Sequence, residues 1–200
     1  KKIKMDRLAE VGATHVLVNV DENPKELAAE IAATGIKVVV THPNGPEDNP
    51  ALYRLIGELF GAKDAAEDMC KRFDDALADL KAATLNAPTK RVLYLIWKDP
   101  WMTISQDTYI ANTLQLINWQ TAGSDPDNRY PEIDMARIIL EADLVLFSTE
   151  PYAFTENDLI EFSSSFPDTP AQLIDGEMTS WYGSRAIEGL RYLQNIGENQ

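Results

Sequence analysis

From Asp64 to about Leu85 the sequence runs through about six helical turns without a proline or glycine. Met69, Phe73, Ala76, Leu80 and Ala83 recur every three or four residues, with Lys, Arg and Asp on the other sides. This spacing predicts one amphipathic helix. At about 1.5 Å per residue it is roughly 33 Å long, close to the width of a small domain. The D-x-x-E spacing of Asp64 and Glu67 is that of a capping box, and Asn86-Ala87-Pro88 supplies the stop. A helix of this length dictates how the rest of a 200-residue chain can be arranged around it.

Both flanks read as alternating helices and strands. Before the long helix come a short helix over Met5–Val11 closed by Gly12, a strand over His15–Val20, a helix over Lys25–Thr34 opened by Pro24, and a strand over Lys37–Thr41. A further helix runs from about Pro50 to Phe60. After the long helix come a strand over Arg91–Trp97, a helix over Thr108–Trp119, a polar stretch over Gln120–Asn128 and a helix near Ile133–Leu140. A strand over Asp143–Ser148, a helix over Asn157–Phe166, a strand over Gln172–Asp175 and a closing helix over Ser184–Gln194 complete the chain. The strands are nearly continuous apolar, β-branched runs, which suits parallel strands buried on both faces. The predicted fold is α/β, two Rossmann-like lobes with parallel sheets.

A helix leads through Ala13-Thr14-His15 into a strand, Asp21-Glu22-Asn23-Pro24, a helix and a strand; a second helix leads through Glu141-Ala142-Asp143 into a strand, Glu150-Pro151, a helix and a strand. The same order thus stands on each side of the long helix. We therefore expect a partial first lobe over residues 1–61, a linking helix over 62–87 and a second lobe over 88–200.

Net charge is −14, from 32 acidic and 18 basic residues, with no basic stripe. A polyanion is repelled, which argues against nucleic acid as a partner. No apolar run approaches the roughly 20 residues that a membrane-spanning helix needs. The chain opens Lys1-Lys2-Ile3-Lys4 with no initiator methionine, so an upstream segment is expected to have been removed. The single cysteine, Cys70, excludes an internal disulfide and is expected to be a buried, inert thiol between Met69 and Phe73.

An open parallel sheet presents ligands to the loops beyond its strands' carboxyl ends. Those loops are aromatic here: Trp97 and Trp101 after one strand, Tyr152 and Phe154 after another, Trp181 and Tyr182 after the last. Any one ring could equally plug the core of its lobe, but their clustering on one edge favours a large, flat or polycyclic ligand. Catalytic signatures are missing. None of H-E-x-x-H, G-x-S-x-G, G-x-G-x-x-G or the phosphate-cradling G-x-x-x-x-G-K-[ST] occurs. His15 precedes a buried strand and reads as structural; His42 lies past a strand end. No metal-ligand spacing is present.

The segments RVLYLIWKDPWMT (91–103), Arg129-Tyr130-Pro131-Glu132, DLVLFSTEPYAF (143–154) and DGEMTSWYGSR (175–185) resemble the second lobe of cobalamin-type substrate-binding proteins of ABC importers. These are helical-backbone metal receptors of the class III periplasmic binding fold. Val16–Asn23 and Val38–Asn49 resemble the later part of the family's first lobe, so the first lobe is expected to be incomplete. The resemblance implies two lobes joined by a rigid helix, a ligand in the cleft and docking onto a membrane permease. It implies a ligand site built from Trp97, Pro100, Trp101, Met102, Glu150, Tyr152, Trp181 and Tyr182, with Glu22, Asn23, His42 and Pro43 from the first lobe. Gly183-Ser184 is not acidic where a permease-docking acid is expected.

The expected function is that of a receptor, not an enzyme, for cobalamin or another corrinoid, haem or a ferric siderophore. No intrinsic cofactor and a monomeric state are expected. A removed signal would place the protein in the periplasm or outside the cell, its absence in the cytoplasm. The alternatives are a two-lobed enzyme of glycosyltransferase-like architecture, which needs a convergent acid/base pair, and a non-transport ligand sensor of the same fold.

Overall fold

The structure, a computed structural model, describes residues 3–198. The chain divides into two compact units, Lys1–Pro43 and Asn44–Gln200.

The first unit is a single strand–helix–strand repeat preceded by a helix. Helix α1 (Met5–Val11) ends at Gly12, whose φ of 66° is the left-handed conformation that closes a helix without a Cβ penalty. Strands β1 (His15–Asn19) and β2 (Lys37–Thr41) pair in parallel, His15 opposite Lys37 and Asn19 opposite Thr41, and α2 (Lys25–Ala33) crosses between them. Val18, Ile31 and Thr41 are buried, but Leu17, Val20 and Val40 stay exposed. A two-stranded sheet has too few neighbours to cover both of its faces.

The second unit contains a four-stranded parallel sheet in the order β4-β3-β5-β6, formed by β3 (Lys90–Leu95), β4 (Trp119–Thr121), β5 (Leu144–Ser148) and β6 (Ala171–Ile174). Alternate residues of the central strands enter different cores, as the two-residue strand period requires. Val92, Tyr94, Leu146 and Ile174 face a core shared with α4 (Lys63–Ala83), α5 (Tyr109–Gln115) and α9 (Arg185–Glu198). Leu93, Leu95, Val145 and Phe147 face a core with α6 (Met135–Ile138) and α7 (Glu156–Ser165). Helix, sheet and helix therefore form three layers.

The long helix is present, and its apolar stripe is buried. Cys70, Phe73, Ala76 and Leu80 are buried in the core of the second unit. Cys70 donates to the Pro50 carbonyl at 3.5 Å, and burial pushes its thiol pKa up. The compact units divide after Pro43, and α3 (Asn49–Leu59) belongs to the second unit. Arg54 makes a two-pronged ion pair with Glu67 of α4, at 2.7 and 2.9 Å. Completely buried Asn49 accepts a hydrogen bond from the Gly183 N–H at 2.7 Å, and the Tyr53 hydroxyl donates to the Gly183 carbonyl at 2.9 Å.

The Asp64/Glu67 capping box does not form. The helix starts one residue early with Ala62 at its cap, leaving Asp64 inside the first turn, where a carboxylate still complements the helix dipole, and Glu67 turned to Arg54. Trp119, expected to end a helix, instead begins β4 opposite Lys90 and is 1% exposed. Asn118, with φ of 60°, turns the chain out of the helical path just before it. The loop expected after β6 contains a short helix, α8 (Gly176–Ser180), capped by Asp175, whose carboxylate accepts from the Met178 N–H at 3.2 Å.

Candidate functional site

Since β3, β5 and β6 are parallel neighbours, the loops that follow them leave the same edge of the sheet. The loop after β3 closes on itself. The Ile96 N–H donates to the Met102 carbonyl at 3.0 Å and the Met102 N–H to the Trp97 carbonyl at 3.2 Å. It is also tied to the Arg129–Ile133 segment, through Thr103 N–H to Pro131 O at 3.1 Å and Ile133 N–H to Trp101 O at 2.9 Å. At the tip stand Asp99, in the left-handed region at φ 60°, and exposed Pro100. Lys98 folds back to Glu161 at 2.7 Å and Asp158 at 3.2 Å on α7. The hydrogen bond to Glu161 above all holds its ammonium pKa above the usual lysine value.

The loops after β5 and β6 meet around a buried set of hydroxyls. Tyr94 Oη of β3 lies 2.8 Å from Ser148 Oγ and 2.7 Å from Thr179 Oγ1. Ser148 Oγ donates to the Glu150 carbonyl at 2.5 Å, and the Gly176 N–H donates to Thr149 Oγ1 at 2.9 Å. A Cβ at position 176 would come within 2.6 Å of the Glu150 nitrogen, so this approach requires glycine. Burial pushes the Tyr94 phenol up to about 12, against the opposing hydrogen bonds from its partners.

On this frame the aromatic residues separate into two groups. Trp97 and Trp181 are 42% and 45% exposed, so neither is a core plug. Trp97 meets Tyr152 edge-on, centroids 5.4 Å apart. Trp181 donates its indole N–H to Glu150 Oε2 at 3.0 Å, and the Arg185 guanidinium lies 6.0 Å from its ring centroid. Trp101, half-buried, stacks on buried Phe154 at 6.1 Å and meets Phe147 edge-on at 6.3 Å. Tyr182 turns to Tyr109, 5.9 Å away, whose hydroxyl accepts from Asn49. The structure thus brings Trp97, Pro100, Trp101, Met102, Glu150, Tyr152 and Trp181 to one sheet edge, with Trp101 and Met102 also serving the core and Tyr182 packed on Tyr109.

In the first unit the loops after β1 and β2 likewise share one edge. Asn23 Oδ1 accepts from the Asn19 N–H at 2.9 Å and so closes the turn that carries exposed Glu22. His42 Nε2 lies 3.8 Å from Asp21, and Pro43 is buried. Asp21 was not among the residues expected from sequence, where only its place in the loop was visible.

Among the described residues, no group of three or more His, Cys, Asp or Glu side chains could hold a metal ion. A cavity of about 460 Å³ lies among Asn44, Glu47, Lys81, Asn112 and Gln115, and none of the loop aromatics lines it. Its lysine is engaged by Glu47 at 2.6 Å. No helix is long and apolar enough to cross a membrane, among the described residues.

A family model described as periplasmic binding protein matches residues 1–166. Among solved structures, the periplasmic vitamin B12 binding protein BtuF of Vibrio cholerae is similar at a TM-score of 0.78 and 14% identity, over 100% of this chain and 81% of that one. The periplasmic heme-binding protein RhuT of Roseiflexus sp. RS-1 is similar at a TM-score of 0.81 and 15% identity, again over 100% and 81%. S. aureus IsdE, solved with heme, is similar at a TM-score of 0.75 and 12% identity, over 96% and 79%. A search of curated proteins finds no match to the sequence.

Proposed function

The chain belongs to the periplasmic binding protein family, and on that premise we propose that it is a solute receptor for a metal-containing or polycyclic cofactor. The cofactor is a corrinoid such as cobalamin, haem or a ferric siderophore, and the receptor passes it to the permease of an ABC importer. It acts outside the cytoplasmic membrane, as a monomer, and makes or breaks no bond. The observation that carries this reading is the pair of half-exposed indoles, Trp97 and Trp181, held with Glu150 and Tyr152 on one sheet edge. Flat rings in fixed positions bury a flat ligand at low entropic cost.

Capture follows from that rigidity. The loops are braced before any ligand arrives: Lys98 fixes the first to α7, and the Tyr94–Ser148–Thr179 hydroxyls fix the other two. The ligand therefore need not order them, which leaves more of the contact energy for affinity. Within the first unit by itself, Glu22 and His42 are proposed to contact ligand, with Asn23 and Pro43 shaping their loops. The metal is cargo and arrives inside its ligand.

The test is titration of the protein with cyanocobalamin, haem and a ferric siderophore, followed by tryptophan quenching. At least one is expected to bind with a Kd of about 1 µM or tighter, near −8 kcal/mol. If none does, the cofactor-receptor reading fails.

A further inference from the structure

We propose that the sheet edge selects ligands whose ring periphery carries uncharged hydrogen-bond donors, such as carboxamides, and rejects those that present carboxylates to it. This inference rests on the receptor reading and adds the chemistry of the ligand's rim.

Glu150 is the centre of the argument. One carboxylate oxygen, Oε2, accepts from the Trp181 indole N–H at 3.0 Å. Among the described residues nothing pairs with the other, Oε1, and the side chain is only half-buried. At Glu150 the edge therefore offers a ligand an anionic acceptor, fixed by the indole whose exposed ring the same ligand would cover. A group placed there must donate a hydrogen bond, since a second anion would be repelled in a partly desolvated setting.

The cations nearby do not offset this. The segments following the four strands of the sheet contain Lys98, Arg129 and Arg185, and each is engaged by carboxylates. Lys98 is held by Glu161 and Asp158, and Arg185 by Glu188 at 2.8 Å and Glu177 at 3.1 Å. Arg129 lies 3.9 Å from Asp107 and donates to Asn44 Oδ1 at 3.0 Å. Recruiting Lys98 or Arg185 for a ligand carboxylate would compete with these ion pairs. The net charge of −14 adds a long-range field of the same sign. The indole N–H of Trp181, which could have served an anionic rim, is already committed to Glu150.

The experiment uses two ligands with one ring system. Dicyanocobinamide carries carboxamides around the corrin, and dicyanocobyrinic acid carries carboxylates at the corresponding positions. Haem, with two carboxylates, is titrated alongside. The intact protein is expected to bind the amide corrin at least about tenfold more tightly than the acid, the scale of one charge-assisted hydrogen bond. Glu150→Gln keeps an acceptor for Trp181 and turns a donor outward, so the ratio is expected to fall towards one. If the acid corrin or haem binds as tightly as the amide corrin, or if Glu150→Gln leaves the ratio unchanged, the selectivity inference is overturned and the receptor reading stands. If neither corrin, nor haem, nor a ferric siderophore binds, the receptor reading fails with it.

Discussion

Two strand–helix–strand units in this chain, β1-α2-β2 and β5-α7-β6, are built from the same local order. Each has two parallel strands and a crossover helix entered from an acidic-proline turn, Asp21-Glu22-Asn23-Pro24 in one and Glu150-Pro151 in the other. Their burial is unlike. Leu146, in the middle of β5, is completely buried, whereas Leu17, in the middle of β1, is 45% exposed. β5 has β3 on one side, β6 on the other and helices over both faces; β1 has β2 alone. Apolar, β-branched sequence makes a strand, but neighbours make it a core strand. The same contrast reaches the loops. Those of the second unit are cross-braced by buried hydroxyls and ion pairs, while the turn after β1 is closed by Asn23 within its own loop.

The sharpest way to break this comparison is to truncate the two central leucines. Leu146→Ala should cost about 3 kcal/mol or more and Leu17→Ala less than about 1 kcal/mol, read from urea midpoints. Equal costs would mean that the two units bury their strands to the same depth. The tryptophans of the second unit should separate next. Trp101→Ala, which removes a ring stacked on Phe154, should lose about 2 kcal/mol or more of stability. Trp97→Ala and Trp181→Ala should leave the stability read from urea unfolding within about 1 kcal/mol of the parent while weakening ligand about tenfold. An unchanged Kd in both would remove them from the site.

Tyr94→Phe should cost about 1–2 kcal/mol, because Ser148 and Thr179 each lose a buried partner. Its pH signature has a fixed sign. The phenol's pKa is raised from 10.0 to about 12 in the folded protein, so above pH 10 the unfolded chain releases a proton that the native state keeps. The associated stability is present below pH 10 and is lost as pH rises towards 12. Unfolding across that window should fall less steeply with pH in Tyr94→Phe; an identical slope would show that Tyr94 does not titrate differently in the two states. The smallest effect belongs to the first unit. Asn23→Ala should cost about 1 kcal/mol or less and speed hydrogen exchange at the Asn19 amide, with the amides of β3 and β5 unmoved.

Much of this was legible in the chain itself. The spacing of Phe73, Ala76 and Leu80 and the run Val92–Leu95 identified a long helix and a buried strand, because periodicity is a local property. The clustering of Trp97, Tyr152 and Trp181 after strand ends located the candidate site, because parallel strands send their following loops to one edge. Three residues at β4 were not legible: too short for a pattern to show, Trp119 acquires its strand only from the partner Lys90. The indole–carboxylate bond of Trp181 and Glu150 joins residues 31 apart in sequence, and no local rule foretells it.

What the sequence determined by itself was the set of elements, the parallel α/β class and the aromatic edge, since backbone propensity and apolar period act over a few residues. The tertiary structure decided where the long helix belongs. Its apolar stripe could have lain against either neighbour, and it packs in the core of β3, α5 and α9, with Arg54, Asn49 and Tyr53 fastening α3 to the same unit. Burial is a property of pairs of surfaces, and the sequence of one surface does not name its partner.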